Sequence, residues 1–267
     1  GQIAVREAVQ EAMKRTAKYG VSVVTICNAH WFGALGVYLL PIGRAGIAAH
    51  TRAQTTHVRD AAPFDGIEAR FGTNPTAICI PTADQPIIAD FSTTLVSSGS
   101  TAQAERRGLR FRSPTFLDKH GNPSDDPSVF ADDGTIMFLG GEEYGYKGYA
   151  FSLWNEAIAV IAGGNANDFR RPNRQSCALV TIDPGFFGGP DGRKRYTDEM
   201  SRFLAHVKNS RRRSGNAEIR FPGERALQAL AEARHGIVSI DTYVYDALKT
   251  IGTERGVPVP PPADVEK

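Results

Sequence analysis

The chain has 267 residues, 41% hydrophobic and 22% charged, with a net charge of +2. That length and mix suit one large or two small globular domains with a sizeable apolar core. The near-neutral charge argues against nucleic acid or an acidic membrane as partner; no apolar run approaches the ~20 residues of a membrane span, and no signal-peptide pattern opens the chain. Cys27, Cys79 and Cys177 are odd in number and widely spaced, which frames neither a disulfide set nor a metal site, so the metal expectation is none. Cys27 and Cys79 read as small core residues, and a reducing cytoplasm fits. The chain begins with Gly1 rather than Met and enters a helical pattern at once, so we expect part of the protein to be absent from this sequence.

Val5, Val9, Ala12 and Met13 recur at helical spacing, and Gly20 closes that helix. Val21 to Ile26 reads as a buried strand. Ala34 to Ile42 reads as a helix weakened by Gly36 and Pro41, and Ile47 to Ala49 as a short strand. Residues 50–70 lack periodicity and read as an ordered loop near a site. Thr76–Ile80 and Ile87–Phe91 are strands joined through the turn Asp84-Gln85-Pro86, a hairpin that would make the sheet mixed. Residues 108–135 form a long surface excursion with turn chemistry at Asp118-Lys119-His120-Gly121-Asn122-Pro123. Tyr149 to Ile161 is apolar nearly all round, the pattern of a buried helix. Cys177–Ile182 is another strand, and Met200, Phe203, Leu204 and Val207 mark an amphipathic helix. Arg211-Arg212-Arg213 reads as a solvated loop, with a phosphate contact as the alternative. Pro222-Gly223-Glu224 starts a helix running to about Ala233, Asp241 caps a last helix carrying Val244, Leu248 and Ile251, and Pro258 to Pro262 is a loose extended tail. Helices and strands interleave, so the class is α/β, with a boundary expected between a main domain, 1–216, and a helical segment, 217–267, packing on it.

Several junctions carry groups suited to chemistry. His30 follows a strand and stands beside Phe32, Gly33 and Ala34; an imidazole near neutral pKa can pass a proton to a carbonyl, and glycine lets a ligand approach the backbone. Gly72-Thr73-Asn74-Pro75 offers neutral hydrogen-bonding groups on a turn stiffened by proline. Asp90-Phe91-Ser92 ends a strand, where the carboxylate suits a ribose hydroxyl or a helix N-terminus. Gly140-Gly141 leads to Tyr146-Lys147-Gly148-Tyr149. A lysine opening a helix opposes the helix dipole, so it calls for an anionic partner, either a ligand or Glu142 or Glu143. Arg220-Phe221-Pro222-Gly223-Glu224-Arg225 reads as a helix N-terminus rich in cations. The ordinary Gly-x-Gly-x-x-Gly dinucleotide fingerprint is missing, as is any serine-hydrolase pattern.

In order and separation these motifs resemble the type-2 malate/L-lactate dehydrogenases, over about residues 2–255. The family's Asn/Ser-x-His-Phe-Gly is matched with Trp31 inserted, its Gly-Thr-Asn-Pro without change, its Asp-x-Ala-Thr-Ser with Ser92 for alanine, and its Gly-Gly…Lys-Gly-Tyr with a longer spacing. The resemblance implies an α/β fold, a mixed sheet flanked by helices and unlike Rossmann, with NAD or NADP as cofactor and a homodimer. It implies His30 as acid/base or as pocket lining, Thr73 and Asn74 as substrate- or nicotinamide-binding, and Phe32, Gly33, Ala34, Asp90, Phe91, Ser92, Tyr146, Lys147, Arg220, Pro222, Gly223, Glu224 and Arg225 as cofactor-binding. Two departures stand out. The family's early Ser-His-Gly segment, with its proton donor and carboxylate-gripping arginine, is not in this sequence, which favours a donor supplied from outside it. Ala62-Pro63-Phe64-Asp65-Gly66 replaces a Pro-x-Gly-Gly pattern. The expected activity is interconversion of a small 2-hydroxy acid and its 2-oxo acid. The alternatives are reduction of a cyclic 2-imino acid, or a non-catalytic cofactor-binding or assembly subunit.

Overall fold

The structure, a computed structural model, describes residues 1–56, 58–167, 174–213, 218–233 and 238–262. Its contacts divide the chain into two units, Gly1–Pro222 and Gly223–Lys267. The first opens with α1 (Gln2–Tyr19), β1 (Val21–Ala29), α2 (Gly36–Arg44), β2 (Ala48–Thr55), β3 (Thr76–Ile80) and β4 (Ile87–Phe91). Then come α3 (Ser98–Arg106), the short strands β5 (Phe116–Leu117), β6 (Pro123–Ser124) and β7 (Thr135–Ile136), α4 (Gly141–Tyr144) and α5 (Tyr146–Ile161). β8 (Gln175–Ile182), α6 (Pro184–Phe187) and α7 (Gly192–Lys208) complete it. The second unit holds α8 (Glu224–Ala233) and α9 (Thr242–Arg255).

The main sheet runs β1-β8-β2-β3-β4. The expected α/β class with helices flanking a sheet holds, but every pairing in that sheet is antiparallel rather than mixed. The last strand of the unit, β8, slots between β1 and β2. Alternation then sorts the two faces. On one face Ala49, Ala53, Ala77, Cys79, Cys177 and Leu179 meet Val5, Val9 and Ala12 of α1 and Leu39 and Ile42 of α2. Full burial of a leucine or isoleucine is worth about 1.5–3 kcal/mol, so this layer dominates the core.

Helix α1 forms because Val5, Ala8, Val9, Ala12 and Thr16 share one buried stripe, and it ends at Gly20, whose φ of 79° is left-handed and whose N–H returns to Thr16 O at 2.8 Å. Helix α2 survives its poor propensity through close approach. A Cβ at Gly36 would lie 2.8 Å from Ile88 Cγ2, and one at Gly43 2.4 Å from Cys79 Sγ, so these glycines let the helix sit directly on the sheet.

Five expectations change. Strand β2 continues to Thr55, so the first part of the presumed loop 50–70 is sheet. The excursion 108–135 contains a second sheet, β6-β5-β7, and a 3-10 turn at Pro127–Ala131. Helix α5 is not buried all round: it covers β2 and β8 but leaves Phe151, Leu153, Trp154, Val160 and Ile161 exposed, because a helix laid on one sheet face has only one side to bury. Likewise α7 buries none of Met200, Phe203, Leu204 and Val207, and Phe203 is 57% exposed. In the second unit the tail is tied rather than loose, since Val257 N–H donates to Gly252 O at 2.9 Å and Tyr245 Oη to Pro260 O at 3.0 Å.

Candidate functional site at one end of the main sheet

Register decides where the motifs meet. Ala29 at the end of β1 pairs with Gln175 at the start of β8, which pairs with Thr55 at the end of β2. Arg52 pairs with Thr76 at the start of β3, which pairs with Phe91 at the end of β4. The segments carrying His30, Thr73 and Ser92 therefore all leave the sheet at the same end.

At β1 the pairing shifts between Ile26 and Ala29 and Asn28 takes a φ of 54°. This irregularity turns His30 out to solvent, with Nε2 3.5 Å from Arg174 Nη1. A guanidinium can only donate, so in this arrangement Nε2 is the acceptor. The loop is anchored behind it: Phe32 is 1% exposed in the core, its N–H donates to Gln175 Oε1 at 3.0 Å, and Tyr38 Oη donates to its carbonyl at 2.8 Å. Gly33 follows with φ 76° and Ala34 is exposed.

Asp90 keeps contact with solvent but turns Oδ2 onto the Gly36 N–H at 2.8 Å, at the N-terminus of α2. Desolvation of its carboxyl raises the pKa, opposed by the Gly36 and Leu35 amides. One oxygen is thus spent on the fold. Phe91 closes β4, and Ser92 Oγ donates to Thr94 O at 2.9 Å.

A backbone relay then joins three motifs. Thr93 donates to Thr73 O through its N–H at 2.9 Å and its hydroxyl at 3.0 Å, Leu139 N–H donates to Thr93 O at 2.9 Å, and Gly148 N–H donates to Leu139 O at 3.1 Å. Lys147 is exposed, with Nζ 4.9 Å from the Tyr144 ring centre and 5.7 Å from that of Tyr146. It forms no ion pair with Glu142 or Glu143 among the described residues. Tyr146 packs edge-on against Phe64 at 5.9 Å. Beside it lies a cavity of about 200 Å³ lined in part by Pro63, Phe64, Ile67, Phe138 and Gly145, so the segment after β2 does border the motifs.

Neighbouring residues of the Gly-Thr-Asn-Pro turn differ sharply. Thr73 is half-buried, and its hydroxyl has no hydrogen-bond partner among the described residues. Asn74 is 1% exposed with a left-handed φ of 38°. Its Nδ2 donates to Ser152 Oγ and Glu156 Oε1, both at 2.9 Å, while Oδ1 is buried without a partner among the described residues. Asn155 Nδ2 donates to Asn74 O at 2.7 Å and Thr76 Oγ1 at 3.2 Å. Glu156 Oε2 accepts from Asn167 N–H at 2.8 Å, and burial raises the Glu156 pKa.

Sequence reasoning missed Ser152, Asn155 and Glu156, although polar residues at i, i+3 and i+4 within an apolar helix mark a stripe. It also missed His50, Arg52 and Gln54, which alternate along β2 toward α5. Arg52 Nη1 lies 3.5 Å from Asn155 Oδ1, its guanidinium stands 5.5 Å from the Phe151 ring centre, and burial lowers its pKa. Among the described residues His50 Nδ1 and Arg52 Nε are buried without hydrogen-bond partners, and Gln54 is buried beside Glu156.

Arg220 is exposed, and Pro222 O accepts from Ile88 N–H at 3.3 Å at the start of β4. Gly223, Glu224 and Arg225 open the second unit, where Gly223 has φ 87° and its carbonyl accepts from Leu227 N–H at 2.9 Å.

The malate/L-lactate dehydrogenase family model matches residues 1–249. The chain belongs to this family. It is 31% identical over 265 residues to the L-sulfolactate dehydrogenase of Methanocaldococcus jannaschii, covering 96% of this chain and 73% of that protein. The solved sulfolactate dehydrogenase from Methanocaldococcus jannaschii superposes with a TM-score of 0.80 at 29% identity, covering 96% of this chain and 73% of that one. A Delta(1)-pyrroline-2-carboxylate/Delta(1)-piperideine-2-carboxylate reductase of Pseudomonas syringae pv. tomato is 29% identical over 230 residues, 82% of this chain and 62% of that protein. The family is one of dehydrogenases acting on hydroxy acids.

Proposed function

We propose that this chain is a nicotinamide-dependent oxidoreductase that interconverts a small 2-hydroxy acid and its 2-oxo acid at the end of the main sheet. The observation that carries this reading is the relay from Thr73 through Thr93 and Leu139 to Gly148, which draws three motifs separate in sequence onto one rim. The residues present fit a dinucleotide and an acid. Lys147 is a cation without a carboxylate partner among the described residues, stacked on two tyrosines and available to phosphate. Arg52 is a partly desolvated guanidinium suited to a carboxylate. When bound, the nicotinamide supplies or accepts the hydride. His30, exposed at the rim, moves the proton at the reacting oxygen. Thr73 hydrogen-bonds the ligand. Phe32, Gly33, Ala34, Asp90, Phe91, Ser92, Tyr146, Arg220, Pro222, Gly223, Glu224 and Arg225 are the remaining candidates for holding cofactor.

A cyclic 2-imino acid is the second reading, supported by the reductase among the relatives. We further propose a homodimer in a reducing cytoplasm. The exposed apolar side chains of α5, with Trp154 50% and Ile161 70% exposed, support association, and three free thiols suit that compartment. The test is oxidation of NADH and NADPH in the presence of 2-oxo acids and cyclic imino acids. Activity that falls about 10²–10⁴-fold in His30→Asn with cofactor affinity retained supports His30 as the proton carrier. Unchanged turnover in His30→Asn removes it from that role.

A further inference from the structure

Helix α5 holds the Gly-Thr-Asn-Pro turn by side chains from one of its faces. Glu156 uses both of its carboxylate oxygens. Oε1 binds the Asn74 carboxamide and Oε2 binds the Asn167 N–H, while Asn167 Nδ2 donates to Val58 O and Arg70 O, both at 3.0 Å. One carboxylate thus fastens the turn to both flanks of the segment that follows β2. Other polar groups near the turn's tip are engaged or sealed: Thr73 O is taken by Thr93, Asn74 O by Asn155 and Asn74 Nδ2 by Ser152 and Glu156, while Asn74 Oδ1 is buried. Asn74 is 1% exposed, with its carboxamide nitrogen engaged inside the protein. The Thr73 hydroxyl has no partner among the described residues and sits on a residue that is only half-buried.

We propose that Glu156 is a positioning residue which, through Asn74, aims the Thr73 hydroxyl at a carboxylate or carboxamide oxygen of the bound ligand. This rests on the oxidoreductase reading. A stability optimum would not place an ionisable carboxyl here: burial opposes its charge, and the orientation it imposes on Asn74 leaves Oδ1 buried without a partner among the described residues. A turn needed only as a connection could dispense with both costs. Aiming a short side chain demands a fixed backbone, since Thr73 Oγ1 has one torsion with which to correct an error.

The experiment is a double-mutant cycle on binding. Dissociation constants for NADH, for NADPH and for a 2-hydroxy acid are measured by fluorescence and thermal shift in wild type, Thr73→Val, Glu156→Ala, the double variant and Glu156→Gln. The arms separate the sources: a cofactor carboxamide moves the nucleotide constants, and a substrate carboxylate moves the acid constant. We expect each single variant to weaken one of these ligands about 10-fold, the double variant to do no worse than the poorer single, and Glu156→Gln, which keeps one acceptor, to fall between wild type and Glu156→Ala. If Glu156→Ala fails to fold, the cycle is run with Glu156→Gln. Additive losses near 100-fold, or a Glu156 variant that lowers the melting temperature while leaving every dissociation constant unchanged, overturn the proposal alone. Wild type that binds neither nucleotide nor acid overturns the oxidoreductase reading and this proposal with it.

Discussion

Substituting Gly148 by alanine sets helix propensity against packing. Alanine is favoured over glycine in a helix by about 1 kcal/mol, and Gly148 lies in the first turn of α5, so propensity alone predicts stabilisation. The structure predicts the reverse. A Cβ at Gly148 would sit 2.5 Å from Leu139 N and 2.6 Å from Thr93 O, inside the hydrogen bond that joins those two atoms. Both neighbours are backbone, with no flexible end to swing away. Relief requires the helix to retreat, which weakens the Gly148–Leu139 and Leu139–Thr93 bonds at about 1 kcal/mol each and adds overpacking of roughly 1–3 kcal/mol. The net is a loss of about 2–4 kcal/mol, or a melting temperature lower by roughly 4–16 °C for a unit of this size. Gly99 in α3 is the control, because a Cβ there meets only Ser97 Oγ at 3.8 Å; Gly99→Ala is expected to stabilise by about 0.5–1 kcal/mol. Thermal and urea unfolding of both variants measure this. A Gly148→Ala protein as stable as Gly99→Ala would refute the claim that α5 seats directly on the relay.

Other consequences follow from burial and charge. Burial pushes the Cys79 thiol up to about 12 and the Cys177 thiol up to about 11, while Cys27 is exposed; a thiolate reagent should titrate one cysteine in the native protein and three in denaturant, and three fast native thiols would contradict the core assignment. Asp183 accepts from Arg193 Nη2 at 2.8 Å and from Gly185 N–H, the guanidinium chiefly holding its carboxyl below the usual range. A depressed folded pKa contributes stability above the unfolded value of about 3.9 and loses it as pH falls through the folded value. Asp183→Asn should therefore cost about 1–2 kcal/mol at neutral pH, discounted for the exposed arginine, and the deficit should vanish in acid; a deficit equal at both pH values would sink the ion-pair account.

The amphipathic stripe of α1 and the β3–β4 hairpin were legible because both are local: Val5, Val9 and Ala12 recur at one spacing, and Pro81 to Pro86 is a turn. The position of β8 was not legible. Its insertion between β1 and β2 rests on pairings such as Val23 with Val180 and His50 with Val180, and a period of two says nothing about which strand lies alongside. Sequence alone cuts β2 short because His50, Arg52 and Gln54 carry the polarity of a loop. Their alternation with Ala49, Thr51 and Ala53 is the strand pattern of a face turned toward polar residues of α5. The motif residues were visible, but their division of labour was not: Thr73 and Asn74 look equivalent in sequence, and only the folded turn separates an available hydroxyl from a buried carboxamide.

The central claim is that the end of the main sheet from which the segments of His30, Thr73 and Ser92 leave binds a nicotinamide cofactor. Backbone amide chemical shifts of the labelled chain, recorded while NADH or NADPH is added, test it most directly. The account predicts saturable shifts centred on Phe32, Thr73, Thr93 and Gly148, with Gly20, Gly46 and Ile80 at the opposite end unmoved. Shifts confined to that opposite end, or none with either nucleotide, would contradict it.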